Sequence, residues 1–320
     1  LRRAAPLAAL GIAWFFVAHA LTSNVFPLEL AFEHRNYLAL FGLLLAASQG
    51  LQWAGRRMHW DARTVAAALP VALIAALGWM HAGQWANPTQ LAVILASANP
   101  ASERASYALG RRLYEDSAGD PSSPAWSLAK EEFEHAASLP RSSPLPEHAL
   151  IVMLGRAGRP IPVTIWDSFR QKMTGPTAAG PQHIHAVHGV LTCRLKEGCQ
   201  LDDEALFGTI LAGVEANPRS AVLHAMYANF AWSVMQDRRL AVGLARMALE
   251  LAPADPDQQA NLAKFLAAAP ELAETGELDR LVESIRRANR GGRMDEELRE
   301  IEDLASQAAQ AGNDEGERGH

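Results

Sequence analysis

The sequence predicts an all-α protein in which a short bundle of transmembrane helices is followed by an α-solenoid of stacked helix pairs. Three observations support this prediction. Residues 1–82 are almost continuously apolar. The remaining residues form alanine-rich segments that are broken by proline and glycine and contain few alternating β-branched runs, which favours helices over strands. These segments form pairs that suggest a period of ~34 residues, which is typical of solenoids built from helix pairs.

Three apolar segments predict membrane spans at about residues 4–22, 38–53 and 64–80. Each is close to the ~20 residues that a helix needs to cross the hydrocarbon core of a bilayer. Aromatic rings prefer the boundary between water and lipid, and tryptophan lies near the ends of these segments at Trp53, Trp60, Trp79 and Trp85. Residues 1–82 are therefore predicted to be a transmembrane region, with the lipid bilayer as its partner.

The arginines predict the orientation of these spans. Arginine precedes the first span and fills the loop between the second and third spans, at Arg2, Arg3, Arg56, Arg57 and Arg63. Because short cytoplasmic loops are enriched in Lys and Arg, both places are predicted to face the cytoplasm. The loop between the first two spans and everything after the third must then lie on the opposite face. The predicted location is the bacterial inner membrane, with the soluble domain in the periplasm.

The soluble part is predicted to follow a linker at 83–98, to occupy residues 99–311 and to end in a disordered tail at 312–320. Its best repeat copy runs from Val222 to Pro253 and is similar to a tetratricopeptide repeat, with matching residues at Ala228, Trp232, Ala241, Ala248 and Pro253. A weaker copy begins at the segment NPASERA, and a third pair covers about Asp257–Asn289. Such pairs must stack to bury their apolar faces, and their concave face commonly binds a protein or peptide partner.

The two cysteines, Cys193 and Cys199, lie close together in the sequence. In an oxidising compartment such a pair favours a small disulfide loop. A zinc site is an alternative because His183, His185 and His188 precede the cysteines, although only His185 and His188 share a helix face and the spacing matches no known zinc motif. Histidines that merely lie on the surface or in the core are a third interpretation.

The segment FPLELAFEHRNYL, between the first two predicted spans, places Glu29, Glu33, His34 and Arg35 at a membrane surface. Ionisable groups at this depth are costly and tend to be kept for function. An arginine at the level of the lipid headgroups can bind a phosphate through two hydrogen bonds and stabilise a phosphate leaving group. Alternatively, these residues only anchor the loop, with Arg35 paired to Glu33 or to a lipid headgroup.

Glu33, Arg35, Tyr37 and Leu38, followed by a span and later by repeats, resemble the C-terminal part of bacterial GT-C-type membrane glycosyltransferases. The arrangement is also distantly similar to the eukaryotic transmembrane and tetratricopeptide-repeat O-mannosyltransferases, although Ala39 stands where their proline is expected. The resemblance implies transfer of a sugar from a polyprenyl-phosphate carrier to a protein or glycan on the periplasmic face. It also implies that Arg35 binds the carrier phosphate with help from His34, and that Glu29 and Glu33 orient Arg35 or hold a divalent metal ion.

The chain begins at Leu1 rather than Met, which suggests the C-terminal piece of a longer protein. The resemblance places the catalytic acidic residue in an earlier loop, so no residue of this chain is assigned a catalytic role. The repeats would then recruit the acceptor or another partner. The alternative is a non-catalytic, membrane-anchored scaffold for envelope or pilus assembly. A net charge of −6 and the lack of a basic stripe argue against nucleic acid as a partner, and no cofactor other than the implied metal ion is predicted.

Overall fold

The computed structural model describes residues 5–20, 33–56, 59–175 and 180–318. Side chains are not described at residues 33–36, 54, 60, 61, 63, 65–67, 81, 84 and 311–318. The described part is all-helical, with 15 α-helices and no strand, so the predicted all-α class is confirmed. The chain divides into two compact units, Leu1–Asn87 (unit 1) and Pro88–His320 (unit 2).

Unit 1 contains three helices, α1 (Pro6–Ala20), α2 (Glu33–Gly55) and α3 (Trp60–Trp85). Helices α1 and α2 lie side by side and approach most closely at Gly11 and Gly42, where an added Cβ atom on either residue would overlap the backbone of the other helix. The indole Nε1 of Trp14 donates a hydrogen bond of 2.8 Å to the carbonyl oxygen of Leu38. Because glycine has no side chain, these two residues allow the close packing of α1 and α2.

The helices of unit 1 begin and end at different residues from the predicted spans. Helix α2 begins at Glu33, so residues predicted to lie in a charged loop form its first turn. Helix α3 extends from Trp60 to Trp85 and contains Pro70. Many large apolar side chains in unit 1 are exposed, including Phe16 at 66% and Ile74 at 65%.

In the part of the chain that the structure describes, no helix has both the length and the apolar character that are needed to cross a membrane.

Unit 2 contains twelve described helices. They are α4 (Pro88–Ala98), α5 (Glu103–Asp116), α6 (Pro124–Ser138), α7 (Leu145–Arg156), α8 (Val163–Met173), α9 (Pro181–Lys196), α10 (Asp203–Ala216), α11 (Ala221–Phe230), α12 (Arg238–Leu251), α13 (Pro256–Ala268), α14 (Glu277–Ala288) and α15 (Asp295–Arg318). The sequence defines many of their starts. Side-chain oxygens of Ser102, Asp202, Ser220 and Asp237 accept hydrogen bonds from backbone N–H groups in the first turns of α5, α10, α11 and α12.

The helices of unit 2 pack as a solenoid. Helices α5, α7, α9, α11, α13 and α15 lie side by side in sequence order, and we call them the odd layer. The even-numbered helices from α6 to α14 pack behind this layer, each against at least one neighbouring odd helix. The result is an extended surface to which alternate helices of the chain contribute.

The best predicted repeat copy is confirmed as a helix pair, α11 and α12, which are linked by a π-helical segment at Ala231–Met235. Its alanines at 228, 241 and 248 are buried because the two helices cross closely. Trp232 is partly buried and stacks on Phe265 of α13, with ring centroids 4.7 Å apart. Small residues therefore lie between the helices of a pair, and an aromatic residue fills the gap to the next pair.

The two other predicted pairs are also present. Helices α5 and α6 cross at Gly110, where an added Cβ atom would lie 2.8 Å from the ring of Phe133. Helices α13 and α14 form the third pair, with a short 3-10 segment between them.

The structure differs from the prediction at two boundaries. The segment predicted to be a linker contains the end of α3 and all of α4, whose apolar residues pack on α5. Helix α15 continues to Arg318, into the segment for which the sequence predicts disorder.

Candidate functional site

A cavity of about 300 Å³ lies in the odd layer between α5, α7 and α9, and we call it the odd-layer cavity. Most of the side chains that line it carry a hydrogen-bonding group. These polar residues are Tyr107, Arg111, Tyr114, His148, Arg156, His185, His188, Thr192 and Glu197. A concave site with several convergent polar groups is the usual form of a ligand-binding pocket.

Helix α5 contributes Tyr107, Arg111 and Tyr114, which are four and three residues apart and therefore share one face of the helix. Tyr107 is fixed by contact with Phe133 of α6, with ring centroids 5.7 Å apart. Burial of the Tyr107 hydroxyl raises its pKa, so this group stays protonated and can donate a hydrogen bond into the cavity.

Helix α7 contributes His148, whose imidazole packs against the backbone of α9. An added Cβ atom at Gly189 would overlap this ring, so glycine makes room for the histidine. The ring of His185 meets the ring of His148 edge-on, at a centroid distance of 5.8 Å. Burial, together with His185 and Arg156, lowers the pKa of His148 to about 4, so the ring is neutral near pH 7. Its Nδ1 atom is buried and has no hydrogen-bond partner among the residues that the structure describes.

The cavity ends at an ion pair between Arg156 and Glu197. Two nitrogens of the guanidinium, Nε and Nη2, donate to the same carboxylate oxygen at 2.8 and 2.6 Å. Tyr114 also lines the cavity, on the wall formed by α5. Both members of the ion pair remain partly open to solvent, since their side chains are 46% and 38% exposed.

Glu197 lies in a loop that is closed by a disulfide between Cys193 and Cys199, whose Cα atoms are 5.4 Å apart. The backbone N–H of Cys199 donates to the carbonyl oxygen of Cys193 at 3.1 Å, which tightens the loop. The next residue, Gln200, donates from its N–H to the carbonyl oxygen of Gly155 at 3.3 Å. The loop is thereby attached to the end of α7, beside Arg156.

The cavity thus offers mainly hydrogen-bond donors and cations. Its lining includes two arginines and one glutamate, so the side chains with a permanent charge leave one positive charge in excess. Burial is the main cause that lowers the pKa of His188, followed by the charges of His185 and Lys196. The arrangement is suited to binding a polar, negatively charged group.

The residues predicted around the charged segment belong to unit 1, whereas the odd-layer cavity is formed within unit 2. Glu29 lies outside the described residues, and Glu33, His34 and Arg35 form the first turn of α2, with side chains that are not described. Tyr37 and Leu38 follow on the same helix and are exposed. The predicted roles of these residues in binding a lipid phosphate or a metal ion therefore stay predictions.

The cysteine sulfurs are bonded to each other in this structure, as in the first of the three interpretations. Among the described residues, one grouping has the spacing of metal ligands, namely Cys193, Glu197 and Cys199, and it includes no histidine. Because its two sulfurs form a disulfide, it offers no thiolate to a metal ion. His185 and His188 line the odd-layer cavity, whereas His183 does not.

Sequence reasoning missed most of the cavity, including Tyr107, Arg111, His148 and Arg156. A usable signal was present. Tyr107, Arg111 and Tyr114 form a stripe along α5, and His148 and Arg156 are two turns apart on α7. The stripe alone does not reveal which helices meet, because that depends on how the pairs stack.

In comparisons with known proteins, no family model matches the chain and no curated protein matches it.

Proposed function

We propose that the chain is a membrane-attached helical-repeat protein whose unit 2 binds a peptide segment of a partner protein at the odd-layer cavity. The observation that carries this proposal is the convergence of hydrogen-bond donors from three successive odd helices on one cavity. Stacked helix pairs commonly use such a surface to hold an extended partner. The similarity of Val222–Pro253 to a tetratricopeptide repeat supports the same function.

Binding is favoured over catalysis because the described residues of the cavity do not form an assembled reaction centre. A nucleophile would need a base within hydrogen-bond reach, and a general base would need a pKa near the working pH. The hydroxyl of Thr192 has no described hydrogen bond to a histidine, and the pKa of His148 lies well below neutral. The arrangement is therefore suited to recognition.

The binding proposal is tested with a phage-displayed library of random peptides, panned on the full chain in detergent. We expect enrichment of a common motif whose binding is lost when Tyr107 and Arg111 are both replaced by alanine, because these residues form one wall of the cavity. Arg239→Ala, an exposed arginine on α12 away from the cavity, is the matched control and should bind as the wild type does. Failure to enrich any motif, or equal binding by the cavity variant, would contradict the proposal.

The membrane part of the proposal is supported by the apolar surface of unit 1. Exposed side chains such as Leu69, Ile74 and Trp79 are large and apolar. A large exposed apolar surface of this kind marks a site that contacts a membrane or another protein. The nearly continuous apolar composition of residues 1–82 makes lipid the best match to that surface. The arginines near residues 2 and 56 then favour a periplasmic location for unit 2.

A reporter fused after Gln90 tests the location of unit 2. Alkaline phosphatase becomes active only after export, so we expect its fusion at this position to be active. A fusion of green fluorescent protein at the same position should be dark, because it would be exported by the same route. A fusion after Arg56 is the control and should give the opposite pattern, because this arginine lies in a loop predicted to be cytoplasmic. Fluorescence from the Gln90 fusion would overturn the proposed location.

Transfer of a sugar from a polyprenyl-phosphate carrier is a second proposal, favoured by the segment that contains Glu33 and Arg35. In that case unit 2 would bind the protein that accepts the sugar, and Arg35 would bind the carrier phosphate. The proposal rests on the resemblance of that segment rather than on contacts within the chain. A scaffold that assembles an envelope or pilus complex would use the same peptide-binding surface without sugar transfer.

A further inference from the structure

We propose that the odd-layer cavity binds an acidic side chain of the partner peptide at the position that Glu197 occupies in this structure, and that Glu197 competes with it. This inference rests on the proposed peptide-binding function. It identifies the chemistry of the partner, a segment with an aspartate or glutamate, and it assigns to Glu197 the role of setting the affinity.

The contact between Arg156 and Glu197 shows which group the cavity accepts. A carboxylate lies on the guanidinium at hydrogen-bonding distances of 2.6 and 2.8 Å. Charge-assisted contacts of this kind are among the stronger hydrogen bonds in proteins, and arginine is well shaped to receive a carboxylate. Glu197 thus acts as an internal example of the proposed ligand.

The internal carboxylate can be displaced because the pair is partly solvated. Arg156 and Glu197 have side chains that are 46% and 38% exposed, and ion pairs at such exposure contribute little stability. Released from Arg156, Glu197 can turn into water at small cost. A carboxylate from a peptide can then take its place.

The surroundings of Arg156 favour an incoming anion. Tyr114 and Arg111 lie on the α5 wall of the same cavity, and their hydroxyl and guanidinium groups can donate hydrogen bonds to an anion. The ion pair of Arg111 with Glu115 is exposed and long, at 3.4 Å, so its guanidinium can also serve a ligand.

The disulfide explains why Glu197 reaches Arg156 so readily. Cys193 and Cys199 close a loop with a sequence separation of 6, and Gln200 attaches the end of that loop to α7 through Gly155. A carboxylate tethered in this way has a high effective concentration at the arginine. A peptide must compete with this tethered group, so Glu197 lowers the affinity of the cavity for acidic ligands.

The test uses a peptide enriched from the random library on the full chain, and its twin in which each Asp or Glu is replaced by Asn or Gln. We expect the acidic peptide to bind the wild-type chain about tenfold more tightly than its neutral twin. The reason is that the neutral twin lacks the charged partner for a hydrogen bond from the cavity. Glu197→Gln should raise the affinity for the acidic peptide about three- to fivefold, because the competing ion pair is removed. Arg156→Gln should lower this affinity about tenfold.

Binding is measured by fluorescence anisotropy of the labelled peptides, with Arg239→Gln as the matched control. The gain in affinity expected for Glu197→Gln cannot be produced by misfolding, which would only weaken binding. Enriched peptides without acidic residues, or a Glu197→Gln variant that binds no more tightly than the wild type, would overturn this inference and leave the peptide-binding function standing. If the library yields no binding peptide at all, the proposed function itself fails.

Discussion

Replacing Lys172 by methionine is expected to lower the free energy of unfolding by about 3–5 kcal/mol, because the change leaves a buried charge without its counter-ion. The side chain of Glu147 on α7 is only 1% exposed, and its Oε1 atom lies 2.6 Å from Nζ of Lys172 on α8. Without the ammonium group, the carboxylate retains a hydrogen bond from Ser168, at 2.7 Å, as compensation. Urea denaturation followed by circular dichroism measures the loss.

The same lysine also holds the connection between α6 and α7. Its Nζ donates to Oγ of Ser142 at 2.6 Å and to the carbonyl oxygen of Ser143 at 3.1 Å. Lys130→Met is the matched control, because Lys130 forms a solvent-accessible ion pair with Glu134, one turn further along α6. This substitution should lower the free energy of unfolding by less than about 1 kcal/mol. The double variant Glu147→Leu/Lys172→Met should recover part of the loss, because it removes both charges. A loss no larger than that of Lys130→Met would show that the pair does not stabilise the fold.

The stability of unit 2 is expected to fall by up to about 3 kcal/mol between pH 6.5 and pH 4 because of His148. In the folded chain its pKa is lowered from 6.5 to about 4, and in the unfolded chain it returns to 6.5. Between these values the unfolded state binds a proton that the folded state does not, so acid favours unfolding. The free energy of unfolding, measured by urea denaturation at a series of pH values, should therefore decrease as the pH falls through this range.

A His148→Phe variant separates this effect from other titrations. Phenylalanine keeps a ring against Gly189 but cannot be protonated, so the fall in stability should be clearly smaller in the variant. Some pH dependence should remain, because the pKa of His183 and His188 is also lowered by burial and the pKa of Glu277 is lowered by its hydrogen bond to Arg246. If the variant loses as much stability in acid as the wild type does, His148 is not the group that titrates.

Much of the fold could be predicted from the sequence because its signals are local. Serine and aspartate before a helical segment, and proline at its first position, define helix starts through backbone hydrogen bonds and a fixed φ angle. Ser220 and Asp237 mark the starts of α11 and α12 in this way. Small residues at Ala228 and Ala241 predict a close helix crossing, and both are buried there.

The boundaries were harder to predict, because a helix can extend beyond the residues that carry its strongest local signals. Helix α2 begins at Glu33, although the charged residues there favour a loop at a membrane surface. Helix α4 occupies a segment that the sequence predicts to be a linker. The segment is helical because apolar residues such as Leu91 and Leu95 pack against α5. A single sequence shows the apolar residues but not the surface that receives them.

The sequence alone determined the helical class, the pairing of neighbouring helices and the closeness of the two cysteines, because these features depend on residues near one another in the chain. Only the tertiary structure decided the composition of the cavity. Tyr107, His148 and His185 come from three helices that are adjacent because alternate helices stack side by side. The pairing of Arg156 with Glu197, 41 residues apart, likewise depends on where the disulfide loop meets the end of α7. Contacts of this range are set by the packing of whole helices, which the local pattern of residues does not specify.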